Sequence, residues 1–211
     1  MRMPVSQRQQ RSPGEMDSQT ERWLSRGCGT HLRVEHLIAL AAGGDLYIEG
    51  RGGARSFAAA LELDGDRPVA RRLLITCPLV EPPRAREPLA RPPLRPLLER
   101  YFEALNDARF ADAAACFAPD CLYVHPPYRA GGAQVVYRGR AELAQQWPLR
   151  RGSARVETVI ERCLQDGNHA FIEGVAAGGS FLSSVVLDAD GLISRYVAFY
   201  TPQRAPRLAD R

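Results

Sequence analysis

The chain has 211 residues, 45% of them hydrophobic and 25% charged, with a formal net charge of +4. That length holds one good core and something smaller. Acidic residues interleave with the basic ones, so there is no stripe of the kind nucleic-acid binders carry. No apolar run reaches the length of a membrane span, and residues 1–20 lack the apolar centre of a signal peptide. The expected location is the cytoplasm, with neither membrane nor nucleic acid as partner.

All 28 basic residues are Arg, which reads as a genome-composition bias. Cys28, Cys77, Cys116, Cys121 and Cys163 form an odd set without a C-x-x-C pair, and are expected to be small buried hydrophobes in a reducing compartment. His31 and His36, five apart on a strand, fall on opposite faces. No metal site is expected.

Residues 1–16 offer almost nothing to bury and read as a disordered tail. Asp17 or Ser18 caps a short helix, with Glu21 at capping-box spacing from Ser18, and this helix ends at Gly27–Gly29. Strand-like segments follow at about 31–41, 45–51, 55–64 and 69–77, broken at Gly43-Gly44 and Asp64-Gly65-Asp66 into an antiparallel meander. Seven prolines with interspersed Arg in residues 78–96 make a semi-rigid linker, centred on 81–94.

From Leu97 the pattern turns helical, with Leu98, Tyr101, Phe102 and Leu105 at three- and four-residue steps. A second helix is predicted over 109–117, stopped by Pro119-Asp120. A strand over 121–125 ends at Pro126-Pro127. Past a loop comes Val135–Tyr137, then a third helix over 140–147 containing Trp147. Four more strands are predicted at about 154–164, 168–176, 179–188 and 192–201.

Those four strands repeat the first four. Gly43–Pro78 aligns with Gly167–Pro202 without gaps and keeps Ile48/Ile172, Glu49/Glu173, Gly50/Gly174, Phe57/Phe181, Leu63/Leu187 and Arg71/Arg195. Upstream, Arg33-Val34-Glu35 matches Arg155-Val156-Glu157, and Trp23 corresponds to Trp147. The chain reads as one complete unit preceded by the back half of another.

Three stretches carry a family resemblance: RYFEALNDARFADAAACFAPDCLYVHPPY, then YRGRAEL before Trp147, then SFLSSVVLDADGLISRYVAFY. Together they resemble the nuclear transport factor 2-like superfamily, in particular its SnoaL-like, polyketide-cyclase-like branch. The resemblance implies an α+β fold, a cone of three helices and a curved antiparallel sheet over residues 95–204, followed by a short tail, 205–211. Residues 17–80 match only its second half, a partial domain of one helix and a strand meander. That meander is expected to pack sheet to sheet on the complete unit, as an intramolecular pseudo-dimer that imitates the homodimer common in this superfamily, with a homodimer as the alternative assembly. The other face of this half sheet is then left open, to be covered by a second chain or by a helical portion further upstream.

Among relatives, the ketosteroid isomerases offer a register for chemistry. Their oxyanion-binding tyrosine falls on Tyr101, their general-base aspartate on His125, and their second oxyanion-hole residue on Ser183; two of the three residue types therefore differ here. A histidine titrates near neutrality and serves as a base without the burial a carboxylate needs, and it is equally suited to a structural hydrogen bond. If Ser183 faces inward, strand alternation brings Phe181, Tyr196 and Tyr200 with it. Tyr128 and Tyr137 flank the expected mouth, Trp147 lies on the third helix, and Glu173 stands mid-strand in an otherwise apolar segment.

The wall so formed suits a flat, hydrophobic, oxygenated small molecule. Three functions stay open. One is a cofactor-free cyclase, isomerase or dehydratase with His125 as base and Tyr101 with Ser183 as donors. The second is a non-catalytic binder of small apolar ligands, and the third a scaffold plugged by its own Phe181, Tyr196 and Tyr200. None needs a cofactor.

Overall fold

The computed structural model describes residues 34–42, 44–64, 67–78, 80–81, 94–127, 132–152, 157–176 and 179–200. The helix expected after Asp17, the side chain of Tyr128, most of the linker and both tails lie outside these residues.

Strands β1 (Val34–Ala42), β2 (Asp45–Gly52), β3 (Arg55–Asp64) and β4 (Arg67–Pro78) form an antiparallel meander in that order. There follow α1 (Leu94–Asn106), α2 (Phe110–Ala115), β5 (Phe117–His125), β6 (Val135–Arg138), α3 (Arg140–Arg151), β7 (Thr158–Asp166), β8 (His169–Ala176), β9 (Gly179–Leu187) and β10 (Ile193–Tyr200). The second sheet has the order β6-β5-β10-β9-β8-β7. It is mixed, because β10 returns beside β5 in the parallel sense while its other neighbours are antiparallel. The resulting α+β cone agrees with the expected fold class.

Local chemistry accounts for the elements. In α1, Leu94, Leu98, Tyr101, Phe102 and Leu105 fall on one stripe and are buried. The helix α2 stops short of Pro119, and β5 has already begun at Phe117. Between Ile193 and Arg195 the β10 partner jumps from Phe117 to Leu122. Residues 118–121 thus stand out of that ladder, and Pro119 forfeits no bond there. The helix α3 runs past Trp147 and Pro148 to Arg151, longer than the periodicity predicts. The β9–β10 turn is an Asx turn: Asp188 Oδ1 accepts the N–H groups of Asp190 at 3.0 Å and Leu192 at 2.8 Å.

Gly174 permits the closest approach in the second sheet. A Cβ there would lie 2.2 Å from the Val159 carbonyl oxygen and 3.0 Å from the Phe181 ring. Replacing Gly174 with Ala is expected to cost about 1–3 kcal/mol through forced displacement of β7. The midpoint of denaturant unfolding checks this, and an unchanged midpoint would show that β7 moves aside freely.

The second sheet has two buried faces. Its inner face packs on α1, α2 and α3 in the larger core. Its outer face, with Val124, Phe171, Leu182, Val197 and Phe199, packs on Ile38, Leu40, Tyr47, Ala58 and Ala60 of the first sheet. The expected sheet-to-sheet packing is therefore present. Across it, the Arg195 guanidinium donates to both carboxylate oxygens of Glu49, with Nη1 to Oε2 at 2.9 Å, and both residues are buried.

Two sequence expectations need correction here. The linker does not begin freely at residue 81. Val80 donates its N–H to Ser56 Oγ at 2.9 Å and accepts from Arg51 Nη2 at 2.8 Å, while the Glu81 carbonyl accepts from Arg195 Nη2 at 3.0 Å. The dipeptide straps both sheets, because its backbone groups satisfy polar atoms that the packing buries. Nor is the far face of the first sheet open, since Ile48, Phe57, Ala59 and Leu61 are each 0% exposed.

Candidate functional site

Strand alternation assembles the interior of the cone. On β5 it aims Tyr123 and His125 inward, on β6 Val135 and Tyr137, on β9 Phe181, Ser183 and Val185, and on β10 Tyr196, Ala198 and Tyr200. The register sets Tyr137 opposite Tyr123 and Tyr123 opposite Tyr196. Their rings stack in that order, at 5.9 Å and 15°, then 5.4 Å and 9°.

The helices close this ladder edge-on. Tyr101 meets Tyr196 at 5.8 Å and Phe117 at 5.2 Å, both near T-shaped. Trp147 lies edge-on to Tyr123 at 5.6 Å. Tyr101 and Trp147 are each 1% exposed. Such ring pairs add about 0.5–1.5 kcal/mol beyond their buried area, which makes the cluster rigid as well as apolar.

Polar atoms enter at defined points. Ser183 Oγ donates to the Tyr196 hydroxyl at 3.0 Å within the buried cluster. His125 stacks on Tyr123 at 6.2 Å and 12° and tilts against Tyr200 at 5.0 Å. Its Nδ1 lies 2.7 Å from the Pro126 carbonyl oxygen. A carbonyl only accepts, so Nδ1 carries the proton and Nε2 carries the lone pair in the neutral ring.

Burial drives the His125 pKa down from 6.5 to about 4, with the Arg151 charge acting the same way and the Pro126 hydrogen bond opposing. The imidazole is consequently neutral at pH 7. Arg151 itself donates to the Leu105 carbonyl at 3.3 Å. Cys121 is also buried, and its thiol is pushed up to about 11, which removes it as a nucleophile at neutral pH.

The candidates named from sequence separate into three groups. His125, Tyr101, Ser183, Tyr137, Trp147, Phe181, Tyr196 and Tyr200 all join one interior cluster. Tyr137 belongs to its wall more than to a mouth, for it is 3% exposed, with Arg150 set 5.5 Å from its ring centroid. Tyr128 lies outside the described residues. Glu173 is displaced from the site altogether: it shares a face with Phe171 and accepts the Tyr47 hydroxyl at 2.9 Å on the outer side of the sheet. Odd parity relative to inward-facing Ile172 and Ala170 put it there.

Sequence reasoning missed Tyr123, the centre of the ladder. Counting back by two from His125 reaches it, so the signal was present. Among the described residues no helix is long and apolar enough to cross a membrane, and no group of three or more His, Cys, Asp or Glu is placed to hold a metal.

Three helices closing a curved mixed sheet around a buried aromatic interior define a cone-shaped α+β domain of the nuclear transport factor 2-like type. The chain belongs to the SnoaL-like domain family, whose model matches residues 98–205. No curated protein sequence matches it. Similar solved structures include a protein of unknown function with a cystatin-like fold from Methylobium petroleophilum PM1, at 26% identity and TM-score 0.46, covering 58% of this chain and 85% of that one. A SnoaL-like protein of unknown function from Burkholderia thailandensis is 15% identical with TM-score 0.44, covering 51% and 93%. A protein with a ketosteroid isomerase-like fold from Catenulispora acidiphila, solved in complex with trimethylamine, is 18% identical with TM-score 0.41, covering 50% and 85%.

Proposed function

We propose that residues 95–204 form an acid–base site for a small hydrophobic molecule bearing a carbonyl group, performing a cofactor-free isomerisation, cyclisation or dehydration. One observation carries the reading: a buried histidine, held in a single tautomer by a backbone carbonyl, shares an apolar interior with a hydrogen-bonded Ser–Tyr pair.

His125 is the base. Its Nδ1–H is committed to Pro126, so Nε2 takes a proton from the carbon beside the substrate carbonyl. The depressed pKa keeps that nitrogen unprotonated at rest. As the proton moves, negative charge develops on the carbonyl oxygen, and the enolate offsets the cost of a buried imidazolium. Tyr101 and the Ser183–Tyr196 pair supply hydroxyl donors to that oxygen. Returned to another carbon of the enolate, the proton completes an isomerisation; given to a β-hydroxyl, it leaves with that oxygen as water while the C–O bond breaks; and where the enolate carbon bonds to a second carbonyl, the new alkoxide takes it and the ring is closed, so that none of the three needs an oxidant or reductant.

Incubating the protein with a panel of flat, hydrophobic carbonyl compounds and following conversion by mass spectrometry tests this. His125→Gln is expected to lower turnover of a converted compound about 10²–10⁴-fold while binding persists. With the wild type, the acid limb of the rate profile should lie near pH 4 rather than 6.5. Unchanged turnover in the Gln variant removes His125 from the reaction.

The density of ring contacts favours a second reading, a scaffold plugged by its own side chains. Phe181 meets Phe102 and Tyr200, and Tyr196 meets three other rings. Absence of saturable binding across the panel supports that reading over the first.

A further inference from the structure

The helix α3 ends on two arginines, and among the described residues neither has a carboxylate within ion-pair distance. Arg151 is half-buried, and its one hydrogen bond among those residues runs from Nη1 to the Leu105 carbonyl at 3.3 Å. Arg150 is exposed, with its guanidinium carbon 5.5 Å from the Tyr137 ring centroid. Carboxylates on the neighbouring elements are already engaged: Glu142 accepts the Arg138 backbone N–H at 2.6 Å, and Glu103, Asp107 and Asp112 surround Arg109. The macrodipole of α3 favours cations in its last turn, and Arg151 also meets the carbonyl end of α1. Both facts account for positive charge here, yet the Nε and Nη2 edge of Arg151 is left without a partner among the described residues.

The two arginines stand toward the His125 end of the cone. Tyr137, beneath Arg150, stacks on Tyr123, and Tyr123 on His125. Leu105, which accepts from Arg151, belongs to the interior cluster. Two amides flank the same end: Asn106 follows Leu105, and Gln134 precedes Val135, the strand partner of His125. Asn106 Oδ1 and Gln134 Nε2 are both buried with no hydrogen-bond partner among the described residues. Native proteins rarely leave such atoms open, and a bound molecule is one way to satisfy them. Turned about its last bond, the Asn106 amide presents NH2 in place of oxygen, so it serves as donor or acceptor.

An uncompensated cation is a poor neighbour for a base. Burial acts first on His125, and the Arg151 charge adds to it in opposing protonation of the ring. Proton abstraction nevertheless makes an imidazolium there. The conflict disappears when the molecule in the cone brings a negative charge of its own. We infer that the end of the cone at Arg151 is an anion subsite, and that the molecule it takes is an oxo acid, whose carboxylate lies on the Nε and Nη2 edge of Arg151. One half-buried guanidinium balances a monoanion, whereas a phosphate dianion leaves charge against an apolar wall. Exposed Arg150 draws the acid in from solvent. Once seated, the carboxylate offsets the Arg151 field, and the imidazolium is formed more readily with substrate present than without it. The assignment of the oxo acid as substrate rests on the acid–base reading above, while the anion subsite is testable without it.

The test is binding to the full chain, read by isothermal titration calorimetry. The probes are para-acetylbenzoate and the larger 6-acetyl-2-naphthoate, each beside its methyl ester, which keeps rings and ketone and removes the charge. The wild type is expected to bind at least one acid about 10–100-fold tighter than its ester, the range for a charge-assisted hydrogen-bonded pair. Arg151→Gln retains an amide N–H and loses the charge, so it should bring acid and ester to within about twofold of each other by weakening the acid alone. Should that variant fail to fold by circular dichroism, Arg151→Lys is read in its place: the charge stays, the planar fork is lost, and only part of the preference should survive.

Equal affinity for acid and ester overturns the inference, as does a full acid preference in either variant, or failure of both acids to bind at millimolar concentration. His125→Gln should keep the preference, because it removes the base and leaves the subsite. Acid preference without conversion of any compound therefore sinks the acid–base reading alone. Conversion of a neutral ketone without acid preference sinks the anion subsite alone.

Discussion

Replacing Glu49 with Ala is expected to cost about 3–5 kcal/mol of stability. The pair it makes with Arg195 is buried on both sides, at 0% exposure for Glu49 and 5% for Arg195. Removing the carboxylate leaves a guanidinium in an apolar interface. Among the described residues its remaining acceptors are the Glu81 carbonyl at 3.0 Å and the longer contact with Ser184 Oγ at 3.4 Å, and its Nε has no hydrogen-bond partner there. The penalty is that of an uncompensated buried charge, which differs from the net worth of the pair.

A second variant separates those quantities. With Glu49→Leu and Arg195→Met together the interface becomes continuous hydrocarbon, and most of the loss should be recovered. Guanidinium unfolding of the three proteins is the measurement. A single-variant loss below about 1 kcal/mol would place the pair with exposed ion pairs in energy, and would mean water reaches Arg195.

Acidification supplies the second large effect. His125 titrates near 4 in the folded chain and near 6.5 once unfolded. Between those values the unfolded chain binds the proton and the folded chain does not, so stability falls as pH falls. The contribution is intact above about pH 6.5, is lost progressively down to about pH 4, and is level below that. A shift of this size corresponds to roughly 3 kcal/mol. The difference between wild type and His125→Gln, followed by denaturant midpoints from pH 7.5 to 4, isolates it from the carboxylates, which are common to both. Parallel curves for the two proteins would show that water reaches the imidazole in the folded state.

Several features were legible in the chain because they depend on local chemistry. The stripe Leu98, Tyr101, Phe102 and Leu105 marks α1 at a period only a helix satisfies. Alternation on β9 and β10 places Ser183, Phe181, Tyr196 and Tyr200 on one side, since a strand offers each residue only two directions. The Asp188–Gly191 turn follows from a side chain that can accept two backbone N–H groups. The repeat, read from paired residues alone, indicated two similar sheets.

Other features depended on partners distant in sequence. Alternation says that Glu173 and Ile172 face opposite ways but not which way is inward, and only packing against Tyr47 settled that Glu173 faces out. Arg195 finds its partner 146 residues away, a choice that no local pattern encodes. The strap at Val80-Glu81 exists because two sheets bury polar atoms between them, and the proline-rich composition around it gave no sign of this. Pro119 marked a helix stop in sequence, yet the helix ends earlier and the proline sits in an excursion of β5 created by its mismatch with β10.

His125 shows the division most plainly. From sequence it is a histidine before two prolines, equally suited to catalysis or to a backbone bond. The fold makes it both buried and bonded, through rings contributed by β5 and β10 and a charge from α3. Residue type and periodicity determine which side chains a strand can present together. Desolvation and charge at a point depend on every element packed around it, and so only the tertiary structure decided that this imidazole rests neutral with its proton on Nδ1.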